Sequence, residues 1–315
     1  MSKPRIVFMG TPDFAVAILD KLVKNDCNIV GVITAPDKPA GRGRKLHESA
    51  VKVYAVEHGL QIMQPTNLKD PNFIEDLKRL QPELQVVVAF RMLPKSVWDM
   101  PKLGTFNLHA SLLPQYRGAA PINWAIINGE KETGATTFFI DDKIDTGAIL
   151  LQKKTSITEE DTAGTLHDKL MHLGADLVLE TINKLEKGEI EPSEQQEEKP
   201  LKEAHKLHKE TCEINWNHDI ASIYNFIRGL SPYPTAWTTL HNGQDKLFLK
   251  VYSAKMDLEE HHLKVGSVVA TKSELKVAVV GGFIHLLEIQ LPGKRKMSTK
   301  EVLNGLKLTE NVYVR

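Results

Sequence analysis

The sequence predicts an α/β protein with a Rossmann-like, mostly parallel sheet in an N-terminal domain and a small, OB-like β-barrel in a C-terminal domain. Short apolar runs alternate with helical patterns over residues 1–189, as in an α/β sheet. The run at 84–90 is apolar on both faces, which is typical of a central parallel strand. After residue 206 the pattern changes to short strands separated by turns, which favours a barrel.

The elements of the N-terminal domain follow from periodicity and from capping residues. Runs of apolar and β-branched residues predict strands at 5–10, 28–34, 60–64, 84–90, 105–110, 135–140 and 149–151. Amphipathic patterns predict helices at 12–24, 51–57, 71–80, 121–129 and 162–187. We expect Thr11 to be the N-cap of the first helix and Pro12 its first residue, and Gly59 to end the second helix.

An acidic segment separates the two domains. Residues 186–203 contain two prolines and almost no apolar side chains, which predicts an interdomain linker. We therefore divide the chain into domains at 1–189 and 206–315, joined by a linker at 190–205. In the second domain we expect one helix at 219–228, with strands at 236–240, 246–254, 267–270, 275–280 and 283–290.

Composition excludes several classes of protein. The chain has 315 residues, and Lys plus Arg and Asp plus Glu both total 40, so any RNA contact must come from local patches. Cys27 and Cys212 lie far apart without metal-ligand spacing, which argues for a reducing compartment and against a metal site. The first apolar stretch is too short for a signal peptide, and no run has transmembrane length. We expect a cytoplasmic monomer.

The first strand does not carry a dinucleotide-binding turn. It ends Met9-Gly10-Thr11-Pro12, with one glycine, whereas the GxGxxG fingerprint needs three. Pro12 also lacks the N–H that a phosphate would bind at a helix start. We therefore expect no NAD.

The most informative segment is 107–121, NLHASLLPQYRGAAP. Asn107, His109 and Ser111 recur at two-residue spacing where an apolar run ends, so in an extended strand all three side chains would share one face. Buried polar groups in such a position are costly unless they bind or react with something.

Three residues suggest acyl-transfer chemistry. Asn107 can donate to an oxygen that becomes an oxyanion, and His109 can donate a proton near neutral pH. Asp145, in a loop ahead of Gly147, would fix the tautomer of His109. Without a Ser or Cys nucleophile, this set suits a reaction in which the substrate supplies the nucleophile, such as an amine. Taken singly, each residue has an alternative: a backbone contact, a buried histidine, or a turn residue.

These motifs resemble the 10-formyltetrahydrofolate-dependent formyltransferase family. The resemblance is carried by 107–121 and by 145–147, with support from 8–15, 36–46, 132–134, 229–234 and 292–297. It implies that a formyl group moves from N10 of the folate to an amine, and that Asn107 and His109 stabilise the tetrahedral oxyanion. It also implies that Asp145 tunes His109 and helps to take the amine proton. Ser111, Leu112, Leu113 and Pro114 would line the folate site.

Over its whole length the chain resembles family members that formylate methionyl-initiator tRNA for translation initiation. The loop 38–45 carries four cations and two glycines, which suits phosphate contacts, although a solvated loop is the alternative. The resemblance implies that Arg42, Arg44 and Lys45 approach the tRNA acceptor stem.

The C-terminal domain is mildly basic. From residue 206 onward there are 15 Lys and Arg against 11 Asp and Glu, and the cations include Lys246, Lys250, Lys264 and the run 294–296. A barrel with such a surface fits an RNA platform. Ordinary surface lysines are the alternative.

Relatives usually carry Tyr-Gly where this chain has Phe90-Arg91, so a long cation would change the wall of the folate pocket.

Other functions remain open. The alternatives are another enzyme that uses 10-formyltetrahydrofolate, such as a hydrolase or a sugar-nucleotide formyltransferase, and a non-catalytic RNA-binding relative. The basic loop argues against the first alternative, and the intact Asn107, His109 and Asp145 argue against the second.

Replacing Arg42 tests the role of the basic loop. We expect Arg42→Ala to raise the KM for charged tRNA by about tenfold, because it removes one charge-assisted phosphate contact, and to leave folate binding nearly unchanged. Steady-state kinetics with each substrate varied in turn measure both effects. An equal loss for the two substrates would contradict this assignment.

Overall fold

The computed structural model describes residues 3–40, 45–196 and 200–315. Arg42 and Arg44 lie outside the described residues, and for Lys45 only the backbone is described. The chain divides into two compact units. The first comprises Met1–Gly118, Thr133–Thr155 and His167–Glu203, and the second comprises Ala119–Glu132, Ser156–Leu166 and Ala204–Arg315.

Strands and helices alternate through the first part of the chain, and strands predominate in the last part. The strands are β1 (Ile6–Gly10), β2 (Ile29–Ile33), β3 (Lys38–Ala40), β4 (Lys45–His47), β5 (Ile62–Met63), β6 (Leu84–Val88), β7 (Thr105–His109), β8 (Arg117–Gly118), β9 (Glu132–Phe139), β10 (Ile149–Ser156), β11 (Glu203–Ala204), β12 (Ala236–Asn242), β13 (Asp245–Asp257), β14 (Val268–Ala270), β15 (Leu275–Val279), β16 (Gly282–Gln290), β17 (Met297–Ser298) and β18 (Tyr313–Val314). The helices are α1 (Asp13–Lys24), α2 (Ala50–Glu57), α3 (Pro71–Arg79), α4 (Lys95–Trp98), α5 (Pro121–Ile127), α6 (Ala163–Lys187), α7 (Ile220–Gly229) and α8 (Thr299–Leu303), with a 3₁₀ turn at Glu210–Cys212.

The main sheet of the first unit has the order β10-β9-β7-β6-β1-β2-β5. From β5 to β7 all neighbours are parallel, and β9 joins β7 in the antiparallel sense. All five residues of β1 and of β6 are buried, because helices cover both faces of the centre of the sheet. The predicted Rossmann-like, mostly parallel sheet is therefore confirmed.

Strand β7 carries the informative segment into the middle of this sheet. Asn107 pairs with Val87 of β6 on one side and with Phe138 of β9 on the other. The alternate residue Leu108 points at α6, where a Cβ on Gly174 would lie 2.8 Å from a methyl carbon of Leu108. Asn107 and His109 consequently lie on the opposite face of the strand.

Local structure differs from the sequence prediction at several points. Pro12, not Thr11, occupies the N-cap position of α1, because its ψ of 175° is still extended. No side chain caps this helix. Strand β7 ends at His109, so Ser111 lies beyond the strand. The basic loop is partly a hairpin, in which β3 and β4 pair from Lys38 opposite His47 to Ala40 opposite Lys45.

The second unit contains an antiparallel sheet with the order β14-β15-β16-β13-β12-β18, to which β17 adds on β16. The two end strands meet, since Val268 N donates to Val312 O at 3.1 Å and Val314 N donates to Gly266 O at 2.9 Å. Helix α7 buries Ile223 and Ile227 in the same apolar core as Leu249 and Val251 of β13. The predicted barrel is confirmed.

The loop between β9 and β10 returns to the sheet through a buried glycine. A Cβ on Gly147 would lie 1.7 Å from the carbonyl oxygen of Phe139, so no larger residue fits without backbone movement. This close approach fixes the loop that carries Asp145.

Gly147→Ala tests this packing. We expect it to lower the free energy of unfolding by about 1–3 kcal/mol, because the added methyl group forces the loop away from β9. Urea denaturation measures the change. Gly305→Ala is the matched control, because the nearest atom to its added Cβ is 4.0 Å away. Equal stability of the two variants would show that the loop yields freely.

Candidate active site

His109 is held by the main chain on one side of its ring. The side chain is buried, and its Nε2 lies 2.8 Å from the carbonyl oxygen of Tyr116. A carbonyl oxygen only accepts, so Nε2 carries a hydrogen in both the neutral and the charged ring. The neutral ring therefore carries its hydrogen on Nε2, and Nδ1 is left without one.

Asp145 faces that nitrogen. Its Oδ2 lies 3.7 Å from Nδ1 of His109 and accepts a hydrogen bond of 3.0 Å from the backbone N–H of Gly118. We expected Asp145 to fix the tautomer of His109, but the carbonyl of Tyr116 does so, because it occupies the other nitrogen. The carboxylate is instead placed to pair with His109 when the ring is protonated.

Asn107 lies on the same face of β7 as His109 and is half-buried. Within the described part of the chain, its side-chain amide makes no hydrogen bond. A half-buried amide with unused donors, next to an imidazole and a carboxylate, can bind a developing negative charge.

The residues after β7 form a turn that hydrogen bonds from Thr136 and Gln152 hold in place. Ser111 donates its hydroxyl hydrogen to Gln115 O at 2.6 Å. Thr136 Oγ1 donates to Ser111 O at 2.7 Å and accepts from Leu113 N at 3.1 Å, and Gln152 donates to Leu113 O at 2.9 Å. Ser111 therefore shapes the turn, and its hydroxyl is not free to react.

The loop between β9 and β10 is ordered by its own first carboxylate. Asp141 accepts hydrogen bonds from the backbone N–H of Lys143 and from the hydroxyl of Thr146. Asp145 itself has φ of 57°, in the left-handed region that Asp tolerates better than most residues. Such a conformation persists when the surroundings hold it.

Gln195 is a residue of the site that the sequence reasoning missed. Its Nε2 donates to Asp145 O at 2.9 Å and to Gly147 O at 2.8 Å. Its Oε1 accepts from Arg117 Nη2 at 2.7 Å and from Arg117 Nε at 3.1 Å. It lies in the acidic segment expected to be a linker, where no periodic pattern could distinguish it from its neighbours.

A cavity of about 470 Å³ begins at the other end of the Asp141–Asp145 loop. Cations and carboxylates both line it: Lys69, Arg91, Lys95, Asp141 and Asp142. The apolar part of its wall comes from Leu68, Leu93 and Trp98. Its volume is in the range of small-molecule sites.

Arg91, the departure from the family pattern, forms part of this wall. Its guanidinium donates to the carbonyl oxygens of Thr66, at 2.9 Å, and of Pro65. It also stands 5.6 Å from the centre of the Phe90 ring. Partial burial lowers the pKa of Arg91 from its usual value, but the residue stays charged.

The basic hairpin is anchored at its base. Asp37 accepts from Gln64 Nε2 at 2.8 Å and from Lys52, and Lys52 also pairs with Glu48 at 2.6 Å. The hydrogen bonds from Lys52 and Gln64 hold the pKa of Asp37 below its usual value. In the chain, Arg42 and Arg44 come between β3 and β4 of this hairpin.

One face of the barrel combines aromatic rings with lysines. Trp237 and His241 point outward from β12, opposite Lys250 and Lys246 of β13. The Trp237 ring packs on Phe248 at 4.9 Å, the His241 ring stacks on Tyr313 at 4.4 Å, and Lys209 Nζ lies 5.1 Å from the Phe248 ring. We call this set of residues the β12–β13 face.

The described residues contain neither a metal-binding cluster nor a membrane-spanning helix. Among 3–40, 45–196 and 200–315, no three His, Cys, Asp or Glu side chains lie close enough to hold a metal ion. In the same part of the chain, no helix is both long and apolar enough to cross a membrane.

Comparison with known proteins identifies the family. The chain matches the family model described as formyl transferase over residues 4–182, and the model described as formyl transferase, C-terminal domain, over residues 206–307. The methionyl-tRNA formyltransferase of Flavobacterium psychrophilum is 57% identical over 315 residues, covering 100% of both chains. That of Bacteroides fragilis is 52% identical over 311 residues, covering 97% of this chain and 96% of its own.

A solved structure shares the fold. HypX from Aquifex aeolicus in complex with tetrahydrofolic acid matches with a TM-score of 0.65 at 16% identity, covering 98% of this chain and 49% of that one. Because both family models match and curated relatives are similar along the whole chain, this protein belongs to the formyl transferase family, in the group of the methionyl-tRNA formyltransferases.

Proposed function

We propose that this protein transfers the formyl group of 10-formyltetrahydrofolate to the α-amino group of methionyl-initiator tRNA, for translation initiation. The observation that carries the proposal is the arrangement of His109, with Nδ1 turned to Asp145, beside the unused amide of Asn107. Ser111, the hydroxyl of the same motif, is engaged with Gln115, so the substrate amine is the nucleophile.

The roles of the three residues follow from their positions. As the amine nitrogen bonds to the formyl carbon, the Asn107 amide and the protonated Nδ1 of His109 donate to the carbonyl oxygen, which becomes an oxyanion. Asp145 accepts the proton that the amine loses, directly or through one water. When the bond from the formyl carbon to N10 breaks, the proton taken up by Asp145 passes to N10, directly or by way of His109 Nδ1, and both side chains return to their starting protonation states.

The folate is assigned to the region between the turn at 111–114 and the Asp141–Asp145 loop. Leu112 and Pro114 are partly exposed there and would contact the folate, while the buried Leu113 and the hydrogen bond of Ser111 keep the turn in shape. The cavity beside Arg91 supports this assignment, because it shares Asp141 and Asp142 with the loop that carries Asp145. In this proposal the wall at Arg91 is part of the folate site.

The tRNA is assigned to the basic hairpin, through Arg42, Arg44 and Lys45, and to the β12–β13 face. Aromatic rings interleaved with lysines suit stacking on bases and contacts with phosphates. We keep the functional division at 1–189 for catalysis, 190–205 for the linker and 206–315 for tRNA binding, because the two family models fall on either side of 190–205. We also propose that the enzyme is cytoplasmic and monomeric.

One assay tests the reaction as a whole. The protein is incubated with 10-formyltetrahydrofolate and charged initiator or elongator methionyl-tRNA, and formyl-methionine is measured. We expect product with the initiator tRNA. Absence of product with either tRNA would overturn the proposal, and hydrolysis of the folate without transfer would favour a hydrolase.

Alanine variants test the reacting residues. Asn107→Ala, His109→Ala and Asp145→Ala should each lower kcat by about 10²-fold or more, because each removes a donor or a proton acceptor from the transition state. Thermal unfolding shows that each variant is folded. His172→Ala, an exposed histidine on α6, is the control and should keep full activity. Near-normal turnover in any of the three would remove that residue from catalysis.

A double substitution tests the β12–β13 face. Lys246→Gln with Lys250→Gln should weaken tRNA binding and reduce the slope of log Kd against log salt by about two, because two phosphate contacts are lost. Fluorescence titrations at several salt concentrations measure the slope. Lys272→Gln with Lys300→Gln, both exposed, is the charge-matched control. The same slope in both double variants would contradict the assignment.

A further inference from the structure

We propose that Gln195 is a positioning residue for formyl transfer, which fixes the backbone of Asp145 and so sets the geometry of the Asp145–His109 pair. The proposal rests on the proposed function. It is independent of the identity of the formyl acceptor, because it concerns only the first unit.

The side-chain amide of Gln195 uses its full hydrogen-bonding capacity. Both hydrogens of Nε2 go to carbonyl oxygens of the catalytic loop, Asp145 O at 2.9 Å and Gly147 O at 2.8 Å. Both lone pairs of Oε1 accept from Arg117, at 2.7 and 3.1 Å. A primary amide can make four such bonds, and here all four go to two segments of the site.

These hydrogen bonds hold the loop at Asp145, which has a strained backbone, and just after it. Asp145 has φ of 57°, a conformation that costs free energy and depends on its surroundings. Gln195 binds the carbonyl of this residue and that of Gly147, two positions further on. Gln195 therefore restrains the turn that contains the left-handed residue Asp145.

Gln195 also binds the segment Tyr116–Gly118, through Arg117. Arg117 stands between Tyr116, whose carbonyl holds Nε2 of His109, and Gly118, whose N–H holds Oδ2 of Asp145. Gln195 thus joins the segment that fixes the imidazole to the loop that supplies the carboxylate. A relaxation of either segment changes the distance between Nδ1 and Oδ2, which is 3.7 Å in the structure.

The backbone near Gln195 is itself anchored to the sheet. Two residues before it, Ser193 pairs with Ile149 at the start of β10, with N–H···O distances of 2.8 and 2.9 Å in the two directions. The segment predicted as a plain linker is therefore pinned to the catalytic sheet where it passes the loop. The adjacent Gln196 is exposed.

Replacing Gln195 by methionine tests the proposal. Gln195→Met keeps the length of the side chain and removes all four hydrogen bonds. We expect kcat to fall by about tenfold or more, with KM for folate and tRNA within about threefold of wild type, because the loss affects the reacting pair and not the binding surfaces. Gln196→Met is the matched control and should keep wild-type kinetics. Gln195→Glu loses both donors to the loop but still accepts from Arg117, and it should be as impaired as the methionine variant.

A double-mutant cycle separates positioning from a general structural role. If Gln195 acts through Asp145, the change Gln195→Met should cost less than about twofold in kcat when Asp145 is already alanine. Multiplicative losses in the double variant, or a kcat of Gln195→Met within twofold of wild type, would overturn the proposal. So would a fall in kcat that only follows the fraction of folded protein. Failure of the proposed function would instead appear in the wild-type protein, as the absence of formyl-methionine.

Discussion

The hydrogen bond from His109 Nε2 to the carbonyl of Tyr116 is the interaction on which the site depends. It commits one ring nitrogen to the main chain and leaves the other to face the carboxylate. The backbone N–H of Gly118 restrains that carboxylate, so two residues that are two positions apart, Tyr116 and Gly118, hold both partners. The sheet beneath supplies rigidity, because β7 lies between β6 and β9, with neighbours on both edges.

The sequence could predict the architecture because the architecture depends on short-range patterns. The doubly apolar strand at Leu84–Val88, the capped helix after Asp70 and the hairpin at Asn242-Gly243 all carry their own signals. The sequence also singled out His109 and Asp145, which are distant in the chain. In the structure Nδ1 of His109 lies 3.7 Å from Oδ2 of Asp145. The contact between His109 and the carbonyl of Tyr116 could not be predicted, because a backbone carbonyl leaves no mark in the sequence.

The same reasoning explains what was missed around the catalytic loop. Gln195 lies in a segment without periodicity, and its importance comes from a long-range approach to Asp145 that no local pattern encodes. The hairpin stem at β3 and β4 was missed because each strand has only three residues, which is too short for a periodic signal. In contrast, Arg91 was noticed as a departure from the family pattern, and the structure gives it defined partners in the carbonyls of Pro65 and Thr66.

The way in which the barrel closes has a consequence for how the second unit folds. Its two end strands are joined by bonds between Val268 and Val312 and between Gly266 and Val314. Since β18 follows every other strand of the barrel in the chain, the ring of strands cannot close until the ribosome has made residue 314. Until then the end of β12, at Leu240 and His241, and the outer edge of β14 are unpaired, and unpaired edges are the sites where strands of other chains add. During synthesis the second unit must therefore avoid such association while its barrel is still open.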